Sequence, residues 1–291
     1  MTPSSSCTLE RAHKTLVQQL LNQPQPNLHL AALYKSGKLC PRKRILVVEF
    51  LAEVCEDLRM HVSTAGLAVA IFDRFSARVA GFPREPLLFA AAAIALASKF
   101  LEPTSPSFYD LGELVGRSTQ QIQDAELHVI NAIGWDLHVA TPHAVADNIF
   151  ILVRASAACR LRTEALINLS YYEHRLLEHS AMAVACAALM LSWVQLSDLD
   201  SEANYAQLLC SVAGVGADEL WRCRETLRAA VTDLHASSAP QPSKPGRESP
   251  NSIMKPFEAE AECAEPPLKR HAPLGVGINY FAPLRASSPA D

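Results

Sequence analysis

The chain has no Cys-x-x-Cys pair, no surplus of one charge sign, no apolar run of membrane length and almost none of the β-branched alternation that marks strands. Each absence removes a class of protein. The eight cysteines (Cys7, Cys40, Cys55, Cys159, Cys186, Cys210, Cys223, Cys263) are scattered through mostly apolar helical sequence, which excludes a regular disulfide framework and leaves reduced packing residues. A formal charge of -4 and a pI near 6.2 offer no basic excess to nucleic acid or an anionic membrane, so a protein partner or small ligand is favoured. The longest apolar runs fall short of a bilayer's width. The opening MTPSSSCTLERAHK lacks the charged-then-apolar pattern of a signal peptide, and a protein of the nucleus and cytoplasm is expected.

Catalytic fingerprints are missing as well. There is no P-loop, nucleophile elbow or kinase signature, and Gly214-Val215-Gly216 lacks the third glycine and preceding strand of a dinucleotide site. His174 and His179 in HRLLEH stand five apart, about 140° around a helix, where metal ligands need a spacing of three or four. Neither enzyme activity, a cofactor nor a metal site is expected.

What is present is leucine, alanine, valine and isoleucine at three-to-four-residue spacing, which predicts an all-α fold. Helices are expected over residues 9–21, 41–58, from an N-cap at Ser63 to 76, over 86–101, near 108–115 and over 118–133. Pro86 suits a first helical turn, and Ser118 three residues before Gln121 forms a capping-box pattern. The alanine-rich run AAAAIALASK suits a central helix that neighbours approach closely. A shift of ninety-three residues lays this helix over residues 181–193, and lays Asp124-Ala125-Glu126-Leu127 over Ala217-Asp218-Glu219-Leu220. That repeat predicts two five-helix units: a leader over 1–39, a first unit over 40–139, a second over 140–236 and a tail over 237–291. The tail holds ten of the nineteen prolines and is expected to be disordered. Ser249-Pro250 and Ser288-Pro289 within it are candidate sites for a proline-directed kinase.

Several segments carry a specific likeness. KRILVVEFLAEV, LAVAIFDRF, ALASKFLEP and AELHVINAIGWDL resemble the first, second, third and fifth helices of a first cyclin box, and the chain looks like a member of the cyclin family over residues 40–140. Five positions that mark the box are filled, by Arg44, Asp73, Ala97, Lys99 and Glu126. The resemblance implies tandem cyclin folds and a regulatory subunit that binds and activates a cyclin-dependent serine/threonine kinase. It also implies that Lys99 and Glu126 hydrogen-bond the kinase, while Leu96, Phe100, Ile130, Trp135 and Leu137 supply apolar contact. Lys99 and Glu126 are expected at helix ends, where the chain reaches the surface. Arg44 and Asp73, set among Ile45, Leu46, Phe72 and Phe75, are expected to pair, since an unpaired buried charge costs several kcal/mol. Ala97 is expected where helices pack closely.

A candidate groove for Arg-x-Leu peptides is built in the family around the start of the first box helix; here the matching residues are Leu46, Val47, Phe50, Glu53 and Leu87. The phrases LAEVCEDLRM and GWDLHVATPH look D-type, implying action in G1 cell-cycle entry. Leu208 and Cys210, however, are followed by Val212 where a D-type retinoblastoma-binding motif has glutamate. General initiation factors of the TFIIB kind share tandem cyclin folds and form an alternative, as does a cyclin-like scaffold without kinase activation.

Overall fold

In the computed structural model the described residues are 15, 27–79, 81–194 and 202–237, and among them the chain is all α, with no strand. The helices are α1 (Asn27–Lys35), α2 (Pro41–Asp57), α3 (Val62–Arg78), α4 (Pro86–Leu101), α5 (Phe108–Val115) and α6 (Thr119–Ala132). There follow α7 (Pro142–Leu152), α8 (Ala157–Ser170), a 3-10 turn (His174–Glu178), α9 (Ala181–Val194), α10 (Glu202–Ala213) and α11 (Ala217–Ser237). Apart from Thr15, the leader expected over residues 9–21 lies outside the described residues. So does the tail beyond Ser237, with Ser249 and Ser288.

The first core is organised by α4. Pro86 occupies its first turn, where the missing N–H costs nothing, and Ala90, Ala91, Ala92, Ala93, Ala95 and Ala97 are buried all round it. Small side chains let α3 and α6 pack directly on its backbone cylinder. Around this axis α2 contributes Val47, Phe50, Leu51 and Val54, a three-to-four-residue spacing that turns one face inward. Two capping boxes start the next helices: Ser107 with Asp110 opens α5, and Ser118 with Gln121 opens α6. The N-cap of α3 is His61, not Ser63: the His61 Nδ1 accepts the Ser63 N–H at 3.3 Å, and Ser63 falls inside the helix.

A second core gathers α7 to α11 around α9, whose residues Ala183 to Met190 are buried throughout. Five helices thus line each core. Helix α1 was not expected from sequence. It rests on both parts: Leu30, Ala31, Leu33 and Tyr34 pack with Leu177 of the 3-10 turn and with half-buried Ala77 and Phe82. Lys35 adds an ion pair to Glu178 at 2.8 Å. The six cysteines among the described residues are free thiols, and burial pushes that of Cys55 up to about 12, consistent with packing residues.

Candidate functional site

Helix α4 is buried through Ser98 apart from half-buried Phe89, and its last turn is exposed. There Lys99 Nζ binds both carboxylate oxygens of Glu126, at 2.7 and 2.8 Å, and stands 4.3 Å from the centroid of the Phe108 ring. The lysine side chain is 44% exposed and the glutamate 16%, so the cation is offered outward while its counter-ion is half sunk. Glu126 lies in the middle of α6 rather than at an end. It surfaces because Ile122, Ala125, Val129 and Ile133 take the inward face of that helix, leaving Glu126 and Leu127 rotated outward.

Large exposed apolar side chains stand next to the pair or to Phe108 in sequence, or at the turn that ends α6. Phe100, Leu101, Tyr109, Leu127 and Trp135 are all exposed, and the Phe100 ring meets His138 edge-on at 5.3 Å. Two residues expected in this contact are not on the surface: Leu96 and Ile130 are 6% and 5% exposed and belong to the first core. Leu137 is half-buried against that core. Leu101, Phe108, Tyr109 and Leu127 were missed, although each adjoins the site or a residue already in it. An exposed apolar surface around one desolvatable ion pair is the composition of a protein interface rather than of a catalytic site.

Trp135 is held out deliberately. Gly134 and Trp135 both take left-handed backbone angles, with φ of 74° and 59°, and the Trp135 N–H closes the end of α6 on the Ile130 carbonyl at 2.9 Å. Its indole Nε1 donates to Asn131 Oδ1 at 2.8 Å, and 68% of the residue remains exposed. The turn is anchored from below by Arg74, whose Nη1 donates to the Asp136 carbonyl at 2.6 Å. A left-handed tryptophan costs about 1–2 kcal/mol, offset on substitution by the extra freedom glycine gives the unfolded chain, roughly 0.4–1 kcal/mol. Trp135→Gly is therefore expected to stabilise the fold by about 0.5–1 kcal/mol, as measured by urea unfolding; a destabilised variant would show that the indole packs rather than projects.

Residues 13–138 match the family model of the cyclin N-terminal domain. Over those residues the chain carries a cyclin N-terminal domain. Among curated relatives, Cyclin-B2-2 of Oryza sativa subsp. indica is 26% identical over 182 residues, covering 58% of this chain and 43% of its own. The G2/mitotic-specific cyclin-B of Emericella nidulans is 28% identical over 197 residues, covering 67% and 40%. The G1/S-specific cyclin-D3 of Homo sapiens is 24% identical over 246 residues, covering 79% and 84%. The chain thus spans less than half the length of the two B-type relatives. A chain in the structure of the CAK complex from Chaetomium thermophilum bound to ATP-gamma-S shares 15% identity and a TM-score of 0.48 over 89% of this chain and 79% of its own, a likeness too loose to carry a conclusion.

In the interior, Arg44 and Asp73 join α2 to α3. Arg44 Nε donates to Asp73 Oδ1 at 2.9 Å and Nη2 to Oδ2 at 2.8 Å, with both side chains almost fully buried. Burial alone would lower the guanidinium pKa, but the Asp73 charge and hydrogen bonds outweigh it and hold Arg44 above its ordinary value. The remaining nitrogen, Nη1, donates to the Tyr171 carbonyl, so the pair also ties the first core to the second. The Tyr171 hydroxyl lies 3.1 Å from His143 Nδ1, and burial pushes His143 down to about 4.

Gly66 of α3 makes room for this junction. A Cβ there overlaps the Tyr171 hydroxyl and comes 2.9 Å from His143 Nδ1. Gly66→Ala is expected to cost roughly 1–3 kcal/mol through overpacking, with the Tyr171–His143 contact broken; thermal unfolding at wild-type stability would refute the close approach.

The candidate peptide groove is not formed by the residues expected to line it. Val47, Phe50 and Leu87 are 0%, 1% and 6% exposed because they face inward between α2 and α4, leaving only Leu46 and Glu53 half-exposed. Ala97 is fully buried on α4. The stretch HRLLEH forms the 3-10 turn and its cap.

Proposed function

We propose that this cyclin is a regulatory subunit that binds a cyclin-dependent serine/threonine kinase through the Lys99–Glu126 face and activates it. The observation that carries the reading is the bidentate Lys99–Glu126 pair, with its lysine open to solvent, beside exposed Phe100, Leu101, Tyr109, Leu127 and Trp135 on the ends of α4, α5 and α6 and the α6 surface. Such a patch buries aromatic anchors and desolvates one charge pair on association, which is where interface energy concentrates. Kinase activation requires the regulatory helix to bring its glutamate to the ATP-holding lysine. The cyclin supplies no chemical group; it supplies a rigid apolar face against which that helix is held inward. A D-type role in G1 entry fits the alignment that takes in 84% of human cyclin-D3 at 24% identity, and action in nucleus and cytoplasm is part of the same proposal. The buried Val47, Phe50 and Leu87 lend no support to Arg-x-Leu docking.

The test is co-expression with a panel of purified cyclin-dependent kinases, reading complex formation by gel filtration and activity on a peptide substrate. A stable complex with raised peptide phosphorylation is expected for at least one kinase. If the folded cyclin neither binds nor activates any of them, the reading is wrong.

A further inference from the structure

Two serine- or threonine-proline steps lie among the described residues, and the fold treats them oppositely. Thr141, before Pro142, is 4% exposed and its hydroxyl caps α7 by accepting the Ala144 N–H at 3.3 Å. Ser105, before Pro106, is exposed in the helix-free segment 102–107. That segment is pinned at its ends: the Glu102 carboxylate accepts the His61 N–H at 2.7 Å and the Thr64 hydroxyl, and Ser107 is held by its capping box with Asp110. Between the pins, Pro103, Thr104 and Ser105 face solvent, and a following proline biases Ser105 to extended backbone, the form in which a kinase cleft takes a substrate.

We propose that Ser105 is a phosphorylation site for a proline-directed serine/threonine kinase, and that a phosphate there opposes the partner contact at Lys99. The second half rests on the function proposed above. The segment joins the turn bearing Lys99, Phe100 and Leu101 to the helix start bearing Phe108 and Tyr109, so Ser105 sits on the rim of the exposed face. It stands three residues from Phe108, whose ring lies against the Lys99 amine. Three residues span at most about 10 Å, an outer bound comparable with the Debye length of ~8 Å at physiological salt. A phosphate of nearly two negative charges competes with Glu126 for Lys99 and holds water on a surface that must be desolvated for association.

In the reaction, the Ser105 Oγ attacks the γ-phosphorus of ATP bound to the modifying kinase. The Oγ–P bond forms as the bond from that phosphorus to the β–γ bridging oxygen breaks, ADP leaves with the electron pair, and the hydroxyl proton passes to the kinase's catalytic carboxylate.

The experiment uses the full chain with Ser249→Ala and Ser288→Ala, incubated with a recombinant proline-directed kinase and Mg-ATP and read by fragment-ion mass spectrometry. Phosphate is expected on Ser105, not on Thr141, and is lost in Ser105→Ala. Affinity for whichever cyclin-dependent kinase the unmodified chain binds is expected to fall about tenfold and to return after phosphatase treatment, while prior complex formation shields Ser105. The inference is overturned if Ser105 stays unmodified while the same kinase modifies the serines of the unsubstituted tail, or if the phosphorylated chain binds as tightly as before. An unmodified chain that binds no kinase overturns the function proposed above, and with it the second half of the inference; site occupancy is scored either way.

Discussion

Asp73→Ala is expected to lower the unfolding free energy by about 3–5 kcal/mol and the melting temperature by roughly 10 °C. The loss arises less from the missing contact than from what stays behind. Arg44 is 2% exposed, and its guanidinium cannot discard its proton to escape burial. Without Asp73 two of its nitrogens lose their acceptors, and the Tyr171 carbonyl cannot neutralise the cation. Replacing both partners by apolar residues, as in Arg44→Met with Asp73→Leu, removes the charge together with its counter-ion. That double variant is expected to recover most of the stability, since well-packed apolar substitutes often equal a buried ion pair. Circular dichroism through a urea titration checks both. A single variant within 1 kcal/mol of wild type would mean that another anion neutralises Arg44. Because Nη1 reaches across to Tyr171, amide exchange around residues 166–173 should also accelerate in Asp73→Ala more than in Gly66→Ala.

The helices whose ends were legible are those whose ends are chemical. Pro86 and Pro103 bound α4, and Ser118 with Gln121 opens α6, because a proline or a reciprocal cap fixes a boundary locally. The pairing of Arg44 with Asp73 was legible for a related reason: two opposite charges in apolar surroundings have few arrangements open to them. Helix α1 carries no such local signature. Nine residues are too few to hold a helix alone, and it stands on contacts with Ala77, Phe82 and Leu177 that are remote in sequence. His61 as a cap was hidden by residue preference, which favours the nearby serine. The facing of Leu96 and Ile130 was hidden by phase. In a helix as uniformly apolar as α4, periodicity does not say which leucine turns inward, and on α6 the buried stripe is wide enough to take both Val129 and Ile130. The left-handed turn that projects Trp135 is foreshadowed only by the glycine before it.

Lys99→Glu is expected to leave the fold intact and to weaken kinase binding by about 3 kcal/mol, more than a hundredfold. In the free protein the lysine is 44% exposed, and an ion pair in that position is worth about 0–1 kcal/mol to stability, so unfolding should barely change. A covering partner removes water from the same two charges and raises the strength of every interaction they make. A glutamate at position 99 then meets Glu126 in a desolvated setting and has no cation to offer the partner. The swapped variant, Lys99→Glu with Glu126→Lys, separates two explanations. If the pair serves only to brace α4 against α6, the swap restores an attractive pair and binding returns. If the partner reads each charge in its own place, the swap repairs the internal pair yet leaves affinity and kinase activation lost. The second outcome is expected, because Lys99 projects further from the surface than Glu126 and an exchanged pair presents the opposite sign at the point of first contact. Titration of all three forms against one cyclin-dependent kinase decides between them, with unfolding curves run in parallel to confirm that each is equally folded.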